Sequence, residues 1–173
     1  MYDEDFTITP FDPGAGIKFK YGRIYTDRDR QITEFQNATG YLLPSDFLEM
    51  IGEWCEGGFD GHYRVYFKDG VEVQWHHLLL MKLADEHDMA GHDALKLIRA
   101  QPKLFGHPPD LRLFPFGEAC EFRSPVEMTK GYLAFNASQG NGVVFVAEGS
   151  GRQRDIADSF RAMLLGSDFV FYG

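Results

Sequence analysis

The sequence predicts an α+β fold, a mostly antiparallel, curved sheet packed against N-terminal and C-terminal helices. Three observations lead there. Apolar residues recur at helical spacing early in the chain (26–58) and again at its end (156–164). Between these lie short extended runs joined by tight turn signals. Finally, 173 residues, 44% of them hydrophobic, with sixteen Phe, eight Tyr and two Trp, suit one compact domain with an ample core.

Taken in order, residues 1–16 read as a flexible acidic arm ending in Pro13-Gly14-Ala15-Gly16, and 17–173 as a single domain. Ile17, Phe19 and Tyr21 alternate with Lys18 and Lys20, which predicts a short strand. From Thr26 the pattern turns helical, with Ile32, Phe35 and Ala38 on one face and Gly40 as a stop. Pro44 and Ser45 open a second helix. Phe47, Leu48, Ile51, Trp54 and Cys55 share its apolar face, and Gly57-Gly58 is expected to end it. His62 to Phe67 and Val71 to Trp75 flank Lys68-Asp69-Gly70, a hairpin signal. Residues 84–100 hold a further helical pattern, and Gln101 to Asp110 reads as a loop. An extended segment starts at Leu111 and is interrupted by Pro115. Gly131 to Phe135 and Gly142 to Val146 flank a turn at Asn136 to Asn141. Ile156, Phe160, Met163 and Leu164 are spaced for a terminal helix.

The charge balance excludes some functions. Seventeen Lys plus Arg against 26 Asp plus Glu give a net charge of −9, with no general excess of cations to neutralise phosphates. That argues against nucleic acid or an anionic membrane as partner and permits a basic one. The N-terminal residues carry no secretory signal pattern, and the apolar runs at 78–81 and 143–147 are too short to span a bilayer. Cys55 and Cys120 read as reduced thiols of a cytoplasmic protein.

Catalytic and metal patterns do not emerge. His76 and His77 sit in a strand-like run, where neighbours are expected on opposite faces. His87 and His92 fall about 140° apart on a helix. There is no His-Glu-x-x-His, paired Cys-x-x-Cys, nucleophile elbow or phosphate loop. No cofactor and no metal is expected.

One constellation stands out. On a helix running from Pro44 to Gly57, Asp46, Glu49, Glu53 and Glu56 fall on the side opposite the apolar stripe, with Asp60 just beyond. Such a face is either ordinary solvated surface or a dock for a basic protein, whose approach its field would steer. With Phe59 and Trp75 these residues make the expected partner-binding set; Trp54, at the edge of the apolar stripe, suits the core better.

The order of motifs resembles the SUKH superfamily. Ile32-Thr-Glu-Phe35, Leu43-Pro44-Ser-Asp46-Phe47-Leu48 and Glu56-Gly57-Gly58 are similar to its N-terminal signature. Leu113-Phe114-Pro115-Phe116-Gly117 is similar to its middle strand, and Ile156-Ala-Asp-Ser-Phe160 with Met163-Leu164 to its terminal helix. The likeness spans residues 26–165; Glu56 stands where the family usually has Asn, and Glu118 to Glu121 replace its glycine-rich turn. It implies an α+β domain without catalytic residues that binds another protein. In bacterial members that protein is mostly a toxin, often a nuclease or deaminase, which the domain neutralises in the cytoplasm. The alternative is a regulatory or scaffold module of the same fold with a cellular partner that is not a toxin.

Overall fold

A computed structural model describes residues 6–24, 27–79 and 93–172. In chain order the elements are β1 (Phe6–Pro10), β2 (Phe19–Ile24), α1 (Arg28–Thr39), α2 (Ser45–Ile51), β3 (Trp54–Tyr66) and β4 (Glu72–Leu78). There follow α3 (Ala94–Ala100), α4 (Pro102–Phe105), β5 (Gly106–His107), β6 (Asp110–Leu111), β7 (Leu113–Ser124) and β8 (Glu127–Asn136). The last are β9 (Val143–Ala147), β10 (Gln153–Ala157), α5 (Phe160–Leu165) and β11 (Asp168–Tyr172). This is the α+β character expected. Nine strands form one sheet in the order β1-β11-β3-β4-β7-β8-β9-β10, with β2 beside the first half of β3. Every neighbouring pair in it is antiparallel. Among the described residues no helix is long and apolar enough to cross a membrane.

Local chemistry explains the breaks. Gly40 takes a left-handed conformation (φ 69°) to end α1. The β3–β4 turn closes as its Asp-Gly predicts: the Val71 amide donates to the Asp69 carboxylate at 3.1 Å, and Gly70 has φ 87°. Asp93 caps α3 by accepting from the Leu95 and Lys96 amides, and Ser159 caps α5 by accepting from Ala162.

One face of the sheet holds the aromatic core. Tyr63, Val65, Val73, Trp75, Phe116 and Phe135 are buried against Ile32 and Phe35 of α1, Phe47 and Ile51 of α2, and Phe160 and Leu164 of α5. The Phe47 ring lies 4.9 Å from Phe160, 5.2 Å from Phe135 and 5.5 Å from Phe116. Each such ring contributes about 1.5–3 kcal/mol by burial alone. On the opposite face α3 and α4 pack against β7, with Phe105 edge-on to Tyr132 at 5.6 Å. Elsewhere that face has two open recesses, one over β1, β11, β3 and β4 and one over β4, β7 and β8.

Several expectations are corrected. The helix begun at Ser45 stops at Ile51, because Gly52 turns the chain (φ 60°), and residues 54–66 join the sheet. There Trp54 stacks on Phe19 of β2 at 4.9 Å, so cross-strand packing overrides the helical spacing. Gly57 and Gly58 are sheet residues and no helix stop. A Cβ on Gly58 would come within 2.3 Å of the Tyr21 ring. The acidic arm is not without regular structure: within it Phe6–Pro10 pairs with β11 along its whole length. Of the 84–100 helix pattern, Ala94, Leu95 and Ile98 at its centre lie in α3, while residues 84–92 lie outside the described residues. The loop at 101–110 contains α4 and one side of the β5–β6 ladder. Pro115 lies within β7 without ending it, and Ile156 belongs to β10 rather than to the terminal helix.

Candidate functional site

Alternation along the strands decides what the open face carries. In β3, Tyr63 and Val65 point into the core, so His62 and Arg64 point the other way. Their register partners on β11 are Val170 and Asp168, and Phe6 and Ile8 of β1 face Tyr172 and Val170 in turn. Gly61 makes this junction possible. Its φ is 150°, and a Cβ there would sit 1.8 Å from the Val170 carbonyl oxygen. Phe6, Ile8, His62, Arg64, Glu72, Gln74, Val170 and Tyr172 together line a recess of about 300 Å³.

Next to it a β-bulge concentrates the histidines. Trp75 faces Ala119 and His77 faces Glu118, so His76 is the extra residue in β4. His76 consequently lines a second recess, about 330 Å³, with Glu118, Cys120, Lys130, Tyr132 and Glu148. Its ring centroid lies 5.5 Å from that of His62. His77, the bulge's other residue, is buried and meets the Glu56 carboxylate at 3.2 Å. Simple alternation, which would set His76 and His77 on opposite faces, therefore does not hold here.

Burial sets the charge states. His62 is pushed down to about 4 by desolvation, with the His76 ring and the Arg64 guanidinium adding to the effect. Its Nδ1 shares a hydrogen bond with the Tyr172 hydroxyl, while Nε2 is buried without a partner among the described residues. His76 is lowered by the same cause, which the Glu118 carboxylate partly offsets. Both rings are neutral at pH 7. Burial raises the Cys120 thiol, which keeps it protonated rather than nucleophilic at that pH. Asp168 accepts from Arg64 at 2.9 Å and from the Tyr66 hydroxyl at 2.8 Å. Glu72 meets Arg64 only at 3.5 Å. Four carboxylates (Glu72, Asp168, Glu118, Glu148) thus stand against two cations (Arg64, Lys130), and the histidines add no charge. Among the described residues no group of three or more His, Cys, Asp or Glu side chains is placed to hold a metal ion.

The partner-binding set read from the sequence is dispersed. Asp46 is half-buried and accepts the Arg161 amide at 3.0 Å, tying α2 to the start of α5. Glu49 is exposed on α2, whereas Glu53 is exposed beyond the helix end. Glu56 is buried on β3 against His77, so the acidic helix face does not form. Phe59 and Trp75 are core residues, 7% and 0% exposed, packed ring to ring at 4.9 Å. Asp60 pairs with Lys20 at 2.7 Å on the surface.

Sequence reasoning missed the recess because its walls come from four strands, two of them at opposite ends of the described chain. One signal was available: the short aromatic and β-branched run in Asp168-Phe-Val-Phe-Tyr172, which marks a strand. No protein-family model, curated protein or solved structure matches this chain.

Proposed function

We propose that this chain is a protein-binding domain that neutralises a basic toxin domain in the cytoplasm, as its resemblance to SUKH immunity proteins implies. The observation that carries this reading is the open face of the sheet. Exposed Phe6, Ile8 and Tyr172 stand beside four carboxylates and two cations, a mixture of aromatic anchors and polar rim suited to a protein interface. The −9 charge of the chain steers a basic partner towards it. A nuclease that grips a polyanion would bring the matching surface. Contact with the carboxylates and aromatic rings, rather than chemistry, would block such a toxin.

The test is capture by the tagged full chain, elution in steps of salt, and co-expression of each recovered protein with and without this chain. A recovered domain that is basic, stops growth when expressed alone and is tolerated beside this chain supports the proposal. Recovery only of non-toxic cellular proteins, or unrelieved toxicity on co-expression, overturns it in favour of a regulatory or scaffold role.

A further inference from the structure

Of the two recesses, the one at the β1–β11–β3–β4 corner has walls that specify an occupant. On one side are the rings of Phe6 and Tyr172, 41% and 54% exposed; Ile8 and Val170 supply aliphatic surface. Opposite them stands Glu72, whose side chain is 28% exposed. Its carboxylate accepts no hydrogen bond from the described residues, because Arg64 beside it donates instead to Asp168. The Arg64 Nε is likewise buried without a hydrogen bond among the described residues, so the 3.5 Å contact between the two satisfies neither group. Gln74 adds an amide beside the carboxylate. The volume, about 300 Å³, suits one long side chain and is too small for a folded element.

We infer that this recess receives an arginine side chain from the basic partner. The inference rests on the reading above and names the group that reading leaves open. A planar guanidinium can lie against the faces of Tyr172 and Phe6 while donating to Glu72, and its methylene stem can cover Ile8 and Val170. A lysine ammonium would make the charge contact without the stacking. A carboxylate or phosphate ligand would meet Glu72 directly, and Arg64 is already held by Asp168.

The experiment is a titration of the full-length chain with N-acetyl-arginine amide, followed by amide NMR shifts. N-acetyl-citrulline amide, equal in shape and uncharged, is the control. The expected result is saturable shifts at Ile8, Gln74 and Val170 with arginine, and none that saturate with citrulline. Glu72→Gln should weaken arginine binding about tenfold, the loss of one charged hydrogen bond. Tyr172→Ala should lower the preference for arginine over N-acetyl-lysine amide. Shifts that do not saturate, or that match those of citrulline, overturn the inference. So does self-association of the free chain that Glu72→Gln abolishes, which would assign the recess to a second copy. A chain that relieves toxicity but takes no arginine sinks the recess alone. Saturable arginine binding by a chain that neutralises nothing leaves the recess standing and removes the toxin reading.

Discussion

Strand β3 carries two unlike surfaces in alternate residues. Tyr63 and Val65 are each 1% exposed and lie in a core that includes Trp75, Phe116 and Phe135. His62 and Arg64, their immediate neighbours, belong to an open face where a hydroxyl, carboxylates and a second imidazole are the contacts. The first surface is redundant: each ring touches several others, so its geometry is set many times over. The second is held by a few polar contacts, and among the described residues the His62 Nε2 and Arg64 Nε are buried there without a hydrogen bond. Stability therefore resides on one side of the strand and the proposed recognition on the other, one residue apart.

The sharpest way to break this contrast is to remove a ring from each side. Phe47→Ala should cost about 3–5 kcal/mol in urea unfolding, since a buried ring with three aromatic partners leaves a cavity. Phe6→Ala on the open side should cost about 1 kcal/mol or less. Equal losses would show that the open corner is as structural as the core.

The core face also carries a buried charge. Glu121, 2% exposed, accepts from Arg123 and Arg154 at 3.1 Å each, and Arg154 also lies 3.9 Å over the Phe67 ring. Glu121→Gln should destabilise by about 1.5–3 kcal/mol, because it removes charged hydrogen bonds and leaves Arg154 to Asp69. Thermal unfolding at low and high salt would measure it. A change under 0.5 kcal/mol would mean that the arginines re-pair at no cost.

On the open side the matching test is pH. His62 is held down near 4 by burial, while in the unfolded chain it titrates near 6.5. The unfolded state then binds the additional proton, so this group makes stability fall as pH drops from about 6.5 to 4, and adds no slope above that window. The loss is on the order of 2–3 kcal/mol at most. His76 acts with the same sign. Urea unfolding between pH 7 and 5 should show the slope in the parent chain and a smaller one in His62→Asn. An unchanged slope would place the acid sensitivity elsewhere. The smallest effect belongs to the surface pair Lys20–Asp60, with side chains 59% and 40% exposed. Asp60→Asn should change unfolding by less than about 1 kcal/mol and leave partner affinity unaltered.

How much of this the sequence disclosed depended on the range of the interactions involved. The β3–β4 turn follows from Asp69-Gly70, the end of α1 from Gly40, and the buried face of α5 from Phe160, Met163 and Leu164. These are local signals, and they were legible. The segment 52–58 was misread because Trp54 and Cys55 fit a helical stripe as well as a strand; only the pairing with β2 separates the two. The candidate site was almost wholly hidden. The extra residue that aims His76 at Glu118 is a property of the register between β4 and β7, and neither strand states it alone. Glu56 reads as a surface charge until His77, twenty-one positions on, is found against it.

The pairing of β1 with β11 has a consequence in time. Phe6 and Tyr172 are partners in the sheet although almost the whole described chain lies between them. During synthesis β1 has no partner among the described strands until β11 has emerged, and the far flank of β3 beyond β2 stays unpaired with them for as long. Two walls of the proposed arginine recess, Val170 and Tyr172, come from β11. A chain interrupted before residue 168 would lack Val170 and Tyr172 and so lack the recess, and occupancy of the recess would report that synthesis has passed β11 as well as that the sheet has folded.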